Sequence, residues 1–592
     1  MNMENKSILN GGEFLVKEIA AQDIFISEEF DEEQIMIKET CNDFIETSIT
    51  PNLDRIDEQE DGLMLSMLNQ AGELGLLGVA IPEKYDGFGQ NFNTSMIVSD
   101  YIGSGHGFGV AFTAHTGIGT LPLLYYGNDE QKEKYLPKLA VGEMAAAYCL
   151  TEPNAGSDAN AGTTKAILSD DGKHYIINGQ KMWITNGGFA NLLTVFAKIE
   201  NDRVLSAFLI ESNWEGVSLN PEEKKMGIKG SSTRQIFFND VKVPVENLLG
   251  KRGLGFRIAL NILHVGRVKL GANVLGGGRM TMKHSINYAN ERKQFGKFIS
   301  EFGAIKFKLA QQAIKQYTTE SAVYRCSGDI NSVAEQNIAK GMDKGQAEID
   351  AISKYSIEAA ILKVYGSEAL DYITDEAVQI FGGMGYSSES PVDRCYRDSR
   401  INRIFEGTNE INRLVIIDTI LKFIKRGDFD LFGIGEKLIT DINNIKYEKQ
   451  TGNYYEALNY HVKNLKKAII ITLTSAQNKL QKLFATEQEI MMNISDMIIN
   501  LYMLESTLLR VQKLESINGE ESVKYQKDIL NVFLYDASNE IYKAGIDAVN
   551  SFNGEENLIH AINELTISTM FNVKDARRRL ADKMIEENKY CF

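Results

Sequence analysis

Two tryptophans, eight prolines and five cysteines are all that 592 residues contain of these types, and the scarcities exclude whole classes of protein. The cysteines (Cys41, Cys149, Cys326, Cys395 and Cys591) lie far apart, with no CxxC pair and no Cys/His cluster. They read as free thiols in a reducing compartment, not as disulfides or metal ligands. The seven histidines are scattered and no HExxH occurs, so no metal site is assigned. A basic excess is also missing. Lys and Arg total 63 against 80 Asp and Glu, for a formal net charge of −17. Nucleic acid is therefore not expected as a partner, because phosphate binding needs a basic surface. The most apolar short run, Ala468 to Leu473, is far too short to span a bilayer. Met1 to Phe14 has no basic stretch followed by an apolar one, so no secretory signal is read. The expectation is a cytoplasmic protein, with a peripheral membrane contact left open.

The common nucleotide motifs are absent as well. No GxxxxGK[ST] occurs, and Gly103-Ser-Gly-His-Gly-Phe-Gly109 lacks GxGxxG spacing and sits in a helical region. A nucleotide cofactor, if used, is held some other way.

What is present divides the chain into four. Residues 1–144 carry a helical pattern, as in Ile37, Cys41, Phe44 and Ile45, interrupted by a Gly/Pro break at Gly78 to Gly89. Residues 145–255 change texture. Asp171-Gly172 and Asn178-Gly179 read as turns beside the β-rich runs His174–Ile177 and Lys181–Thr185. Leu192–Lys198, Val204–Ile210 and Gln235–Phe238 are further strands of an antiparallel β domain. Residues 256–426 read as helices over Phe256–Leu263, Arg267–Arg292, Phe302–Ser327, Ala347–Lys363, Gly366–Phe381 and Asn409–Lys425. Residues 427–592 begin with a linker, Gly427 to Gly452, and continue as a helical extension. The fold class expected is multidomain α+β: a β domain between two helical ones, plus extra C-terminal helices. In the extension Ile494, Met497, Ile498, Leu501, Leu504, Leu508 and Leu509 form an apolar stripe. It reads first as internal packing and second as a partner or membrane surface.

Two segments suggest chemistry. Tyr148-Cys-Leu-Thr-Glu-Pro-Asn-Ala-Gly-Ser157-Asp158 places hydroxyls and a small-residue turn where the chain enters the β domain. Its free N–H groups suit a pyrophosphate, and a purely structural loop reads equally well. Trp183-Ile184-Thr185-Asn186-Gly187 sets an indole beside a hydroxyl at a strand end. Such a tryptophan is commonly a core residue, though a flavin ring needs the same pair of groups. These strings, with Gln379-Ile-Phe-Gly-Gly-Met-Gly-Tyr386, Arg397-Asp398, Arg403-Ile-Phe-Glu-Gly-Thr-Asn409 and Asn290-Glu-Arg292-Lys-Gln-Phe-Gly296, resemble the acyl-CoA dehydrogenase family in order and spacing. The resemblance covers about Ile35 to Ile424. The added region after Tyr454, Val265-Gly266-Arg267 and Phe405 resemble the long, very-long-chain form.

The resemblance implies FAD as cofactor, fatty acyl-CoA as substrate and an electron-transferring flavoprotein as acceptor. The implied reaction takes an α-proton and a β-hydride to give the trans-2-enoyl-CoA. Glu406 resembles the catalytic base. A carboxylate desolvated in an apolar pocket becomes a stronger base; without the motif it would read as an ordinary acid near a helix start. Gly407 lets chain and flavin approach closely. Tyr148, Leu150, Thr151, Ser157, Trp183, Ile184 and Thr185 resemble the flavin's lining, with Thr408 and Glu410 as further contacts. Glu410 stands where the family often has Asp or Gln. Arg292, Gln294, Gln379 and Gly383 resemble residues that hold the cofactor of a neighbouring subunit, which implies an oligomer; the long form implies a homodimer. Ser157, Arg267, Phe405 and Gly407 resemble substrate contacts, although Arg267 also reads as a helix-surface ion pair. Some family members carry their base where Gly266 stands, so Glu406 has no rival there. Small residues at Gly107, Gly109 and Ala114, around Val110, suit a long acyl chain or close helix packing equally. Two other readings stay open: an assembly protein that keeps the fold, and an acyl-CoA oxidase.

Overall fold

The computed structural model describes residues 7–448, 452–568 and 571–592. The six N-terminal residues and the linker residues 449–451, on which parts of the sequence reading fall, lie outside them.

The chain begins with helices α1 (Glu32–Phe44), α2 (Leu53–Asp57), α3 (Leu63–Glu73), α4 (Phe92–Ile102), α5 (His106–Thr113), α6 (Leu121–Tyr126) and α7 (Asp129–Ala140). Local chemistry sets their starts. Asp31 accepts the Gln34 N–H at 2.8 Å while the Gln34 side chain accepts the Asp31 N–H at 3.2 Å, a reciprocal cap. A wide π turn, Ala114–Gly119, continues α5.

Strands β1 (Ala146–Cys149), β2 (Lys165–Leu168), β3 (His174–Thr185), β4 (Leu192–Ile199), β5 (Ser206–Glu211), β6 (Val217–Leu219), β7 (Thr233–Pro244) and β8 (Leu248–Leu249) follow. They run in the order β6-β7-β3-β2-β4-β5-β8, with β1 added on β4. The sheet is mixed, not antiparallel as the sequence suggested. Both β1 and β2 lie parallel to β4, because each reaches it across a long connection instead of a two-residue turn. Asn178-Gly179 is no turn either. It lies inside β3, where the register against β7 slips between Ile177 and Gly179; a Cβ on Gly179 would sit 2.5 Å from Thr164 Oγ1. Asp171-Gly172 does make the β2–β3 turn, with Gly172 at φ 67.

Helices α8 (Gly255–Glu291), α9 (Gly303–Ala339), α10 (Lys344–Lys354), α11 (Ser356–Phe381), α12 (Pro391–Ser399) and α13 (Asn409–Arg426) come next, with the exposed two-stranded hairpin β9 (Lys293–Gln294) and β10 (Lys297–Phe298) after α8. The break read between Leu263 and Arg267 is absent, and the one read between Lys363 and Gly366 lies instead at Tyr355. Periodicity located the apolar face but not the interruption. Gly271 and Gly366 let α8 and α11 pack closely: a Cβ on Gly366 would lie 3.1 Å from Val274.

The presumed linker contains helix α14 (Leu431–Thr440), capped by Asp430. The extension is α15 (Tyr454–Leu480), α16 (Gln488–Asn518), α17 (Lys524–Ser551), α18 (Glu556–Thr566) and α19 (Val573–Glu587). Its apolar stripe from Ile494 to Leu509 is buried throughout, so the packing reading holds and the exposed-surface reading does not. One continuous core joins residues of the N-terminal helices, α8–α11 and the extension. A second fills the sheet. Among the described residues, no helix is long and apolar enough to cross a membrane.

Candidate active site

The turn between α12 and α13 carries Phe405, Glu406 and Gly407. Glu406 takes φ 58 and Gly407 φ 84, a left-handed pair that a non-glycine residue enters only under constraint. The constraint comes from side chains on either side. Arg267 Nε donates to the Glu406 carbonyl at 3.1 Å. Asn412 Nδ2 donates to the carbonyls of Gly407 at 2.8 Å and Thr408 at 3.0 Å. Thr408 then caps α13 by accepting the Ile411 N–H at 3.3 Å.

The bent turn drives the Glu406 side chain against α8. A Cβ on Gly266 would sit 2.6 Å from Glu406 Oε2, so a larger residue there would displace the carboxylate. That oxygen is buried and has no hydrogen-bond partner. Burial pushes the Glu406 carboxyl up to about 7, although Arg267 and Lys363 each pull it down. Arg267 is itself buried, and burial brings its guanidinium down to about 10. Its neighbour His264 is held neutral, pushed to about 3 by burial and by Arg267. Tyr148 is buried too, its phenol raised by burial and by the Glu406 charge. Phe405 packs with Leu270, Val274 and Leu370. A basic carboxylate thus lies buried beside an apolar cluster, with two cations near it. The chemistry open to it is proton abstraction from a weak carbon acid.

A second group lies along the sheet. Lys181 is fully buried and donates to Leu150 O at 3.2 Å and Glu152 Oε1 at 2.7 Å. Glu152 also accepts from the N–H groups of Thr163 and Thr164. The Met182 N–H donates to Thr151 O at 2.9 Å. Those bonds fix the 148–158 loop beside Trp183 and Thr185. Trp183 stands at φ 60 and 53% exposed. An indole so exposed, on a strained backbone, is not a core residue, and its flat face is open to a planar ligand. Ser157 is exposed, and space around Gly156 is open. Ile184 differs: its side chain is buried in the sheet core, which leaves only its main chain to meet a ligand. These features would suit a flavin, with Trp183, Thr185 and the 156–158 turn among the residues that would hold it.

Arg292, Gln294, Gln379 and Gly383 do not join this site. They are exposed at the far ends of α8 and α11, which Tyr288 and Phe381 tie together by stacking at 4.0 Å. Twenty-five residues of helix separate Gly266 from Glu291, about 38 Å. Glu410 is exposed on the first turn of α13.

Sequence reasoning missed Lys363, Asn412 and the Lys181–Glu152 pair. Lys363 carried a legible signal, since it interrupts the apolar run Ala359–Val364. Gly107 and Gly109 turn out to serve packing: a Cβ on Gly107 would lie 3.0 Å from Ser231 N, and one on Gly109 2.8 Å from Ile102 O. Val110 instead lines a cavity with Asn273, Gly277, Met280 and Leu370.

Family models described as acyl-CoA dehydrogenase N-terminal, middle and C-terminal domains match residues 31–143, 147–241 and 253–421. A second model, also described as acyl-CoA dehydrogenase, C-terminal domain, matches 464–565. A probable acyl-CoA dehydrogenase of Bacillus subtilis is 40% identical over 586 residues, 98% of each chain. The human mitochondrial very long-chain specific acyl-CoA dehydrogenase is 36% identical over 510 residues, covering 81% of this chain and 74% of its own. The crystal structure of an acyl-CoA dehydrogenase complexed with FAD from Bacillus anthracis superposes with a TM-score of 0.95 at 41% identity, over 99% of this chain and 100% of that one.

Proposed function

The chain belongs to the acyl-CoA dehydrogenase family, and from that premise we propose that it desaturates long-chain fatty acyl-CoA to the trans-2-enoyl-CoA, with Glu406 as base. One observation carries the assignment. The Glu406 carboxylate is buried against Gly266 with an unpartnered oxygen and is raised to about 7, which suits a base working near neutrality.

An α-proton beside a thioester is only weakly acidic. Glu406 takes it once deprotonated, and Arg267 holds the Glu406 carbonyl so that the carboxylate keeps its aim. The Glu406 N–H polarises the substrate carbonyl as negative charge develops there. When bound, FAD supplies the acceptor for the β-hydride. Tyr148, Leu150, Thr151, Ser157, Trp183, Ile184, Thr185, Thr408 and Glu410 would hold it from one chain. Arg292, Gln294, Gln379 and Gly383 stand too far from Glu406 along α8 and α11 to serve the same cofactor, which supports a homodimer in which they serve the partner's. Phe295, Met384 and Tyr386, at 92%, 54% and 91% exposed, give that end of the molecule an apolar face to cover. An electron-transferring flavoprotein is the acceptor in this reading, and the exposed Trp183 marks the flavin edge it would approach.

Long-chain preference has its own support. Gly266, Leu270, Asn273, Gly277 and Met280 follow one another on one face of α8. The last three line a cavity with Val110 and Leu370, on the same face of α8 as Gly266, and this is the space the long-chain reading rests on.

Anaerobic mixing with palmitoyl-CoA is expected to bleach the flavin absorbance, faster than with butyryl-CoA. No bleaching with any acyl-CoA would remove the enzymatic reading. Rapid peroxide formation in air would replace the flavoprotein acceptor with oxygen.

A further inference from the structure

The least expected charge near the base belongs to Lys363. It is fully buried on α11, within electrostatic reach of Glu406. A buried ammonium is costly unless it is held, and the hold leads away from the active site. Lys363 Nζ donates to Asn409 Oδ1 at 2.6 Å. Asn409 Nδ2 donates to Glu368 Oε1 at 2.9 Å and Ser367 Oγ at 3.0 Å. Arg413 grips both oxygens of Glu368, at 2.8 and 3.0 Å, and its Nε donates to Asp496 Oδ1 at 2.7 Å. Asp496 lies on α16, in the C-terminal extension. Next to it, Ser495 Oγ donates to the Arg413 carbonyl at 2.6 Å.

The geometry points to Lys363 as a positioning residue for Glu406, held in place by a relay of Asn409, Glu368 and Arg413 that ends on Asp496 of the extension. The extension is then part of the support of the active site. The inference rests on the dehydrogenase reading above. The relay enters α13 at its first turn, directly after the strained Glu406-Gly407 pair, so each link restrains the turn that carries the base. Bidentate Arg–carboxylate pairs are the best suited to such a restraint, because they fix orientation as well as distance.

Charged and titratable groups from α8, α11 and β1 act on Glu406 or feel its charge. Arg267, with His264 behind it, comes from α8, and Tyr148 from β1. Lys363 comes from α11, and Glu368 and Glu410 act on Lys363 in turn. Arg267 and Lys363 are the cations that favour the carboxylate form. Burial draws Lys363 down to about 7, against the pull of Glu406. Removing the Lys363 charge therefore makes Glu406 harder to ionise.

The test is the pH profile of flavin bleaching in single turnover with palmitoyl-CoA. For Lys363→Met the acid limb is expected to move up by about one pH unit, with the KM little changed. Asp496→Asn is expected to move it the same way by less. It should also speed amide hydrogen exchange in residues 404–412 while the flavin stays bound. An unmoved acid limb in Lys363→Met overturns the positioning role. An Asp496→Asn protein identical to wild type in profile and exchange overturns the link to the extension. Where Lys363→Met does not accumulate as flavoprotein, the Asn409→Ala profile decides: a displaced limb supports the role and an unmoved one overturns it. Wild-type protein that never bleaches defeats the dehydrogenase reading instead, a result distinct from any of these.

Discussion

At Glu406 two costs coincide. A left-handed backbone at a non-glycine residue costs about 1–3 kcal/mol, and the carboxylate loses its water without gaining a hydrogen bond to Oε2. The proposed role as base accounts for both. The sign of the second cost follows from its direction. A carboxyl raised to about 7 in the folded chain, from an ordinary 4.5, destabilises the fold progressively as pH rises from about 4.5 to 7. Glu406→Gln is therefore expected to melt above wild type at pH 8 and level with it at pH 4, by calorimetry. The same variant should retain FAD and lose bleaching by about 10²–10⁴-fold, the usual contribution of a general base. The wild-type rate should climb as pH passes about 7, where the carboxyl ionises.

At the scale of elements, the bases of positioning are close approaches and buried pairs. Helix α8 offers Gly266 where any larger residue would strike the carboxylate, so Gly266→Ala should keep fold and flavin content but slow bleaching at saturating substrate; stopped-flow absorbance checks it. Strand β3 is joined to the 148–158 loop by Lys181 and Glu152, at 0% and 4% side-chain exposure. Lys181→Met leaves Glu152 buried without its cation and should cost about 3–5 kcal/mol in urea unfolding. The pair holds the Glu152 carboxyl down at about 2, where its cation and hydrogen bonds outweigh burial. That stabilisation is complete above about pH 4.5 and is lost as pH falls toward 2. Neither position stood out in sequence, because a Lys and a Glu 29 residues apart become a pair only once β3 lies beside the loop.

For the whole molecule, the question is which surfaces are finished within one chain. The extension is tied to the rest of the chain: Arg325 of α9 pairs with Glu505 of α16 at 2.9 Å, Arg510 reaches Glu28 and Glu320, and Lys466 reaches Lys17 O at 2.7 Å. At the far end of α8, by contrast, Phe295 is almost wholly exposed on its hairpin. Phe295→Glu should shift the protein toward monomer in analytical ultracentrifugation and lower its bound FAD, since the same face carries Arg292 and Gln294.

The order of domains, the β region, the motifs around Tyr148, Trp183 and Glu406, and the burial of the Ile494–Leu509 stripe were all legible in the sequence. Each is local, written in periodicity or in a contiguous string. Strand direction, the helix break at Tyr355 and the helix inside the presumed linker were not, because they depend on what lies across the contact. The same holds for Glu406, the proposed base. Its identity is carried by Phe405-Glu406-Gly407-Thr408. Its strength is decided only by tertiary structure, which brings Gly266, Arg267 and Lys363 from two other helices and buries the carboxyl among them.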